Sequence, residues 1–156
     1  MASYLITGCS RGLGLSLVET LLSMPKSEVG TIFATARGES PALLELARKH
    51  TDRVVTVQLD VLSEKSILEA ASRVEQKLNG QGLDVLINNA GIMGVKPGGT
   101  STMLGLSSMV QVKLTNKHNR DDLEFHFRMN VLAPHHVTSA FVPLLKAGKL
   151  KKIANM

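Results

Sequence analysis

The chain has 156 residues, within the range of one compact domain, and 44% of them are apolar, enough for a substantial core. Its formal net charge is +5, but the basic residues are scattered; the densest group, Lys146, Lys149, Lys151 and Lys152, reads as a solvated face, which speaks against nucleic acid and suits a phosphorylated small molecule. The single cysteine, Cys9, excludes an internal disulfide framework, and no apolar run reaches the roughly 18 residues of a membrane span.

Met1-Ala2-Ser3 leads straight into an apolar strand, without the basic region and long apolar stretch of a signal peptide, so a soluble, cytoplasmic protein is expected. Tyr4-Leu5-Ile6-Thr7 reads as a buried strand. From residue 12 to 24 a helix follows, with Leu13, Leu17, Leu21 and Met24 on one stripe and Val18 and Leu22 beside it. Thr31 to Ala36 is a second strand. Ser40-Pro41 starts the next helix, serine as cap and proline in the first turn; Leu43, Leu44 and Ala47 form its apolar face. Val54 to Leu59 is a third strand. Ser63 caps a helix carrying Ile67, Ala70, Ala71, Val74 and Leu78, and Asn79-Gly80 stops it. Leu83 to Ile87 is a fourth strand.

Past Gly91 the pattern breaks. Residues 94–120 hold glycines, serines, threonines and lysines with weak periodicity, an unusual length for a loop inside a compact domain. Asp121-Asp122 suit a helix N-terminus, and that helix is expected to run to about Leu145 with a kink at Pro134. Residues 151–156 begin a fifth strand. Continuous apolar strands separated by amphipathic helices predict one α/β domain over residues 1–156, with a doubly wound parallel sheet covered on both faces.

Local chemistry concentrates in Thr7-Gly8-Cys9-Ser10-Arg11-Gly12-Leu13-Gly14, which joins the first strand to the first helix. Glycines allow a tight turn and let the backbone approach a pyrophosphate, which free amides and the positive end of the helix dipole can hold. The alternative is an ordinary glycine-rich turn. A dinucleotide fold chooses its cofactor at the end of the second strand, where a carboxylate accepts from a ribose 2′-hydroxyl and a cation pairs with a 2′-phosphate. Here that strand ends Thr35-Ala36-Arg37-Gly38, and the nearest acid is Glu39. Arg37, with Arg11 in reach, therefore favours NADP(H) over NAD(H). Arg37 could instead be an exposed loop arginine, Asp60 a loop acid near a helix start, and Asn88-Asn89 a brace for the turn after the fourth strand. Cys9 reads as a small spacer. His135 and His136 are adjacent and face different ways, and His118 and His126 lack partners at ligand spacing, so no metal site is expected.

The spacing Thr-Gly-x-x-x-Gly-x-Gly, with Asn88-Asn89-Ala90-Gly91 after the fourth strand, Asp60-Val61 after the third and Asn130 in Met129-Asn130-Val131, resembles the short-chain dehydrogenase/reductase family. Within it, residues 4–14 and 86–92 look most like the C-factor/Sniffer-type carbonyl reductases. The resemblance covers nearly all of residues 1–93 and 121–156. It implies a Rossmann-like fold and hydride transfer between a nicotinamide and a carbonyl or alcohol. It also implies cofactor contacts from Thr7, Gly8, Ser10, Arg11, Gly12, Leu13, Gly14, Arg37, Asp60, Val61, Asn88, Asn89, Ala90 and Gly91. Asp60-Val61 would meet the adenine, and Asn130 would be the helical asparagine of the catalytic tetrad.

The family's tyrosine and the lysine four residues after it have no counterpart: the one tyrosine is Tyr4, and Gly8 follows it at that spacing. The expected sheet is therefore incomplete, with the first five strands only, and the product marginal in stability, with an unprotected edge. Deleting residues 104–120 would leave a connection close to the family's short one, so that segment is expected to be an insertion of the retained-intron kind, followed by an early end. Three readings stand: a carbonyl reductase seen through its cofactor half, a dinucleotide-binding module that does not catalyse, or a fragment without function of its own.

Overall fold

The structure is a computed structural model and describes residues 1–92 and 123–156. The expectations for residues 94–120, and for a helix start at Asp121-Asp122, lie outside the described residues. Five strands, β1 (Ala2–Ile6), β2 (Val29–Ala36), β3 (Val54–Gln58), β4 (Val85–Asn88) and β5 (Lys152–Asn155), form one sheet in the order β3-β2-β1-β4-β5. Every pairing is parallel. The chain works outward from β1 to β3, then crosses back to place β4 on the other side of β1. This is the Rossmann-like, doubly wound α/β arrangement expected from the sequence, and it puts a crevice at the carboxyl ends of β1 and β4.

Alternate strand residues feed two cores. Leu5, Phe33 and Val57 pack with Ile67, Ala70 and Val74 of α3 (Glu64–Leu78) and with Val137 and Phe141 of α4 (Ala133–Ala147). Ile6, Ile32, Ala34 and Val54 pack on the opposite face with Val18 of α1 (Gly12–Ser23) and Leu43 of α2 (Pro41–Lys49). Both faces are thus covered, which explains why the strands read as continuous apolar runs. Phe33 and Phe141 are fully buried; truncating either to alanine costs about 3–5 kcal/mol.

The helix ends follow local chemistry. Ser40 Oγ accepts from Leu43 N with Pro41 in the first turn, and Ser63 Oγ accepts from Ser66 N. Asn79 takes the left-handed conformation (φ 47°) that closes α3. The C-terminus of α1 has no basic residue of its own. Arg53, just before β3, replaces one: its guanidinium donates to Leu22 O (2.8 Å), Leu21 O (3.1 Å), Met24 O (3.1 Å) and Val29 O (3.0 Å). A delocalised cation at these carbonyls also complements the helix dipole.

At the amino ends of the strands one buried carboxylate plays the same part. Asp84 Oδ2 accepts from Ser3 N (2.9 Å), and its Oδ1 accepts from Lys149 N (2.7 Å) and Leu150 N (3.1 Å). Burial alone would push the Asp84 carboxyl up, but the donors from Ser3, Leu150 and Lys149 outweigh it and hold the group below the ordinary aspartate value. These bonds secure a loop in which Lys151 is left-handed (φ 54°).

The last helix departs from the expectation of one kinked rod. Residues 123–127 are helical, Arg128–Leu132 form a wider π turn, and α4 starts at Ala133 with Pro134 in its first turn. Pro134 has no N–H to give to the preceding turn and its ring crowds the carbonyl four residues back. The helix opens instead, and Ala133 N donates to Arg128 O. α4 then continues to Ala147, past the expected end at Leu145.

Candidate functional site

The glycine turn is tied to both neighbouring strands. Thr7 N donates to Ile87 O (3.0 Å), and Cys9 N donates to Thr35 O (2.7 Å). Gly8 (φ 74°) lies against β4's exit, where a Cβ would stand 3.0 Å from Ala90 Cα. Gly14 is more restricted: a Cβ would stand 2.2 Å from Gly8 O and 2.6 Å from Asn89 Nδ2. Gly12 differs from both. It is left-handed (φ 57°), and among the described residues a Cβ there would meet nothing within 4 Å. Arg11 caps α1 without a side-chain hydrogen bond, and the first turn holds no acid. Among the described residues no side chain caps the first amides of α1 and no acid of its first turn offsets the positive end of its dipole, an arrangement suited to an anion such as a pyrophosphate. Ser40 Oγ donates to Ser10 O (2.8 Å) and couples the turn to α2.

Leu13 corrects the sequence reading. Placed there on the core-facing stripe of α1, it is 56% exposed, and the buried face centres on Gly14 and Val18. Leu13 lies exposed beside the glycine turn, and its neighbour Gly14 carries the buried side of the first turn.

The exit of β4 completes the crevice. Thr7 Oγ1 accepts from Asn89 N (3.0 Å) and Ala90 N (2.9 Å), while Asn89 Nδ2 donates to Thr7 O (2.9 Å) and Gly8 O (3.2 Å). Asn89 is therefore a brace between the turn and β4. Asn88 points to the other face, where its Nδ2 donates to Thr138 Oγ1 (3.0 Å) and Asn155 Oδ1 (2.9 Å). Asn88 Oδ1 is buried without a partner among the described residues. Asn130, in the π turn, exchanges two bonds with Ile92: its Oδ1 accepts from Ile92 N (3.0 Å) and its Nδ2 donates to Ile92 O (2.9 Å). Gly91 passes close by; a Cβ there would lie 3.3 Å from Asn130 Oδ1. Asn88, Asn130, His135, Thr138 and Asn155 share a cleft of about 600 Å³. Sequence reading missed Thr138, although it lies two helical turns after Asn130, and missed Asn155, which pairs in register with Asn88.

A second pocket, of about 330 Å³, opens beyond β2 and β3 and contains Arg37 and Asp60. Gln58 Nε2 donates to Arg37 O (3.2 Å) and fixes the backbone there. Arg37 and Arg11 are both exposed. Asp60 Oδ1 accepts from Leu62 N (3.0 Å), so this carboxylate braces the turn into α3 while remaining on the pocket wall. Val61 is buried in the core, so any ligand contact it makes comes from its backbone. Cys9 is fully buried, and burial pushes its thiol up to about 12, against a partial lowering by the Thr35 backbone bond. It is a small spacer, not a thiolate. Among the described residues no cluster of three or more His, Cys, Asp or Glu is placed to hold a metal ion, and no helix is long and apolar enough to cross a membrane.

Known proteins are similar to this chain in sequence and in fold. An uncharacterized oxidoreductase of Schizosaccharomyces pombe is 39% identical over 153 residues, covering 96% of this chain and 51% of that protein. A short-chain dehydrogenase/reductase of Aspergillus aculeatus, AacuF, is 38% identical, covering 98% of this chain and 53% of its own length. The NADPH-bound carbonyl reductase from chicken fatty liver superposes with a TM-score of 0.74 at 33% identity, over 94% of this chain and 49% of that one. The carbonyl reductase Sniffer of D. melanogaster does so with a TM-score of 0.76 at 31% identity, over 94% of this chain and 53% of that one. The chain thus spans about half the length of the relatives it matches. The family model described as short chain dehydrogenase matches residues 3–156, and the chain belongs to that family.

Proposed function

We propose that this chain carries the dinucleotide-binding machinery of an NADP(H)-dependent oxidoreductase acting on a carbonyl or alcohol. The observation that carries the reading is the glycine turn: among the described residues the helix N-terminus is uncapped and a Cβ at Gly12 would meet nothing, while Gly8 and Gly14 are too confined to be anything else. In this reading the amides of residues 10–14 hold the pyrophosphate, Leu13 and the Asn88-Asn89-Ala90-Gly91 segment line the cofactor, and Asp60 and Val61 border the adenine. A bound nicotinamide would supply or accept the hydride. The preference for NADP(H) rests on Arg37, where an NAD-selective site has a carboxylate, and is supported by the NADPH named with the chicken carbonyl reductase. Asn130 is the tetrad asparagine; here it holds Ile92 in place at the edge of the cleft.

The lone tyrosine, Tyr4, lies in β1, and no Tyr-x-x-x-Lys occurs in the sequence. This favours a second reading for the 156-residue polypeptide alone: a dinucleotide-binding module that does not turn over. Calorimetric titration with NADPH and NADH, with NADPH oxidation followed in the presence of a generic carbonyl, tests both. Preferential NADPH binding supports the cofactor assignment, and turnover then separates the two readings. Binding of neither dinucleotide sinks both.

A further inference from the structure

We propose that α3 takes part in cofactor choice: Lys65, in its first turn, makes the pocket beyond β2 net positive and so favours an adenosine carrying a 2′-phosphate. The proposal rests on the dinucleotide reading above and adds to it a residue outside the glycine turn and the end of β2.

Among the described residues, the ionisable ones lining this pocket are Arg37, Lys65, Arg73, Asp60 and Glu69. Without Lys65, two guanidinium groups stand with two carboxylates, and the described lining has no net charge. Asp60 cannot easily leave, because Leu62 N holds its Oδ1. A phosphate dianion approaching Arg37 would therefore share its pocket with a carboxylate, and Lys65 tips the balance of the described lining toward binding it.

Lys65 also sits where helix chemistry alone would not put it. It is the second residue of α3, at the positive end of the dipole, where a cation is disfavoured. Its partner at i+4 is Glu69, with the lysine on the N-terminal side, the less favourable order for such a pair. Their 3.9 Å separation is beyond hydrogen-bonding distance, and both side chains are well exposed. The ammonium is therefore not consumed by its neighbour. A residue that breaks two local rules at the rim of a pocket is better explained by what enters the pocket than by the stability of the helix.

The test is titration of the full chain with adenosine 2′,5′-bisphosphate and with 5′-AMP, two probes that differ in the 2′-phosphate. The wild-type chain is expected to prefer the bisphosphate. Lys65→Gln should weaken the bisphosphate about fivefold to tenfold while leaving 5′-AMP within about twofold. Lys65→Arg should restore the preference, and Glu69→Gln should strengthen it. Unchanged bisphosphate affinity in Lys65→Gln, beside a clear wild-type preference, would overturn the role of Lys65 and leave the NADP(H) assignment standing. An equal loss for both probes would overturn it as well. A wild-type chain that binds neither probe, or does not tell them apart, would overturn the proposal together with the reading on which it rests.

Discussion

Replacing Gly14 by alanine puts a methyl group where backbone already stands. The new Cβ would lie 2.2 Å from Gly8 O and 2.6 Å from Asn89 Nδ2, while ordinary contact begins at 3.4 Å. The Gly8 carbonyl would have to retreat by more than 1 Å, which breaks its 3.2 Å bond from Asn89 and strains the 2.9 Å bond from Asn89 to Thr7 O. Overpacking costs about 1–3 kcal/mol, and each lost hydrogen bond about 1 more, so a loss of about 2–4 kcal/mol is expected. In urea unfolding followed by circular dichroism, that is a midpoint lowered by about 1–2 M. Two other glycines calibrate the result. Gly12→Ala meets no atom but keeps a left-handed backbone, for about 1–2 kcal/mol. Gly38→Ala has neither obstacle and should be neutral within about 0.5 kcal/mol. If Gly14→Ala is no less stable than Gly38→Ala, the account of the turn as a close-packed cradle is wrong.

Three further outcomes follow from the other polar joints. Asp84, with its carboxyl held below the ordinary value, contributes stability that is present above the unfolded pKa of about 4 and is lost as pH falls through the folded value; the stability gap between wild type and Asp84→Asn should be widest near neutrality and should narrow below about pH 4. Arg53→Met removes four hydrogen bonds to carbonyls and should cost about 2–4 kcal/mol by thermal or urea unfolding, with Arg53→Lys recovering only part, because an ammonium cannot reproduce the fork. Asn130→Ala removes both bonds to Ile92; amide exchange at Ile92 should quicken about tenfold with little change in global stability, and an unaltered rate would show that Asn130 does not hold Ile92 in place.

What could be read from the sequence is what is encoded locally. Ser40 and Ser63 cap helices because their partners are three residues away, and Asn79-Gly80 ends α3 by backbone preference alone. The glycine turn and the Asn88-Asn89 pair were visible by their spacing, and the two meet in the fold through Thr7. Arg53 and Asp84 were invisible for the opposite reason. Arg53 finds its carbonyls 24 to 32 residues away, and Asp84 reaches 81 residues back to Ser3. In a local reading Arg53 is merely a charged residue beside a strand and Asp84 one inside the expected fourth strand, which begins only at Val85. Leu13 was misplaced because apolar periodicity gives no weight to glycine, and in the first turn of α1 it is Gly14 that makes the close approach. Pro134 announced a disturbance, and the structure shows its form: a widened turn that presents Asn130.

The joint at Asp84 has a consequence for β5. Its residues are mostly exposed, so apolar burial does little to specify how this strand pairs with β4. Polar bonds set the alignment instead. Asp84 holds the residues entering the strand and accepts from Lys152 N through its own backbone carbonyl (3.0 Å). At the far end Asn88 grips Asn155. A strand lashed at both ends cannot slip by one residue without breaking every knot together, and its alignment survives changes to the side chains in between.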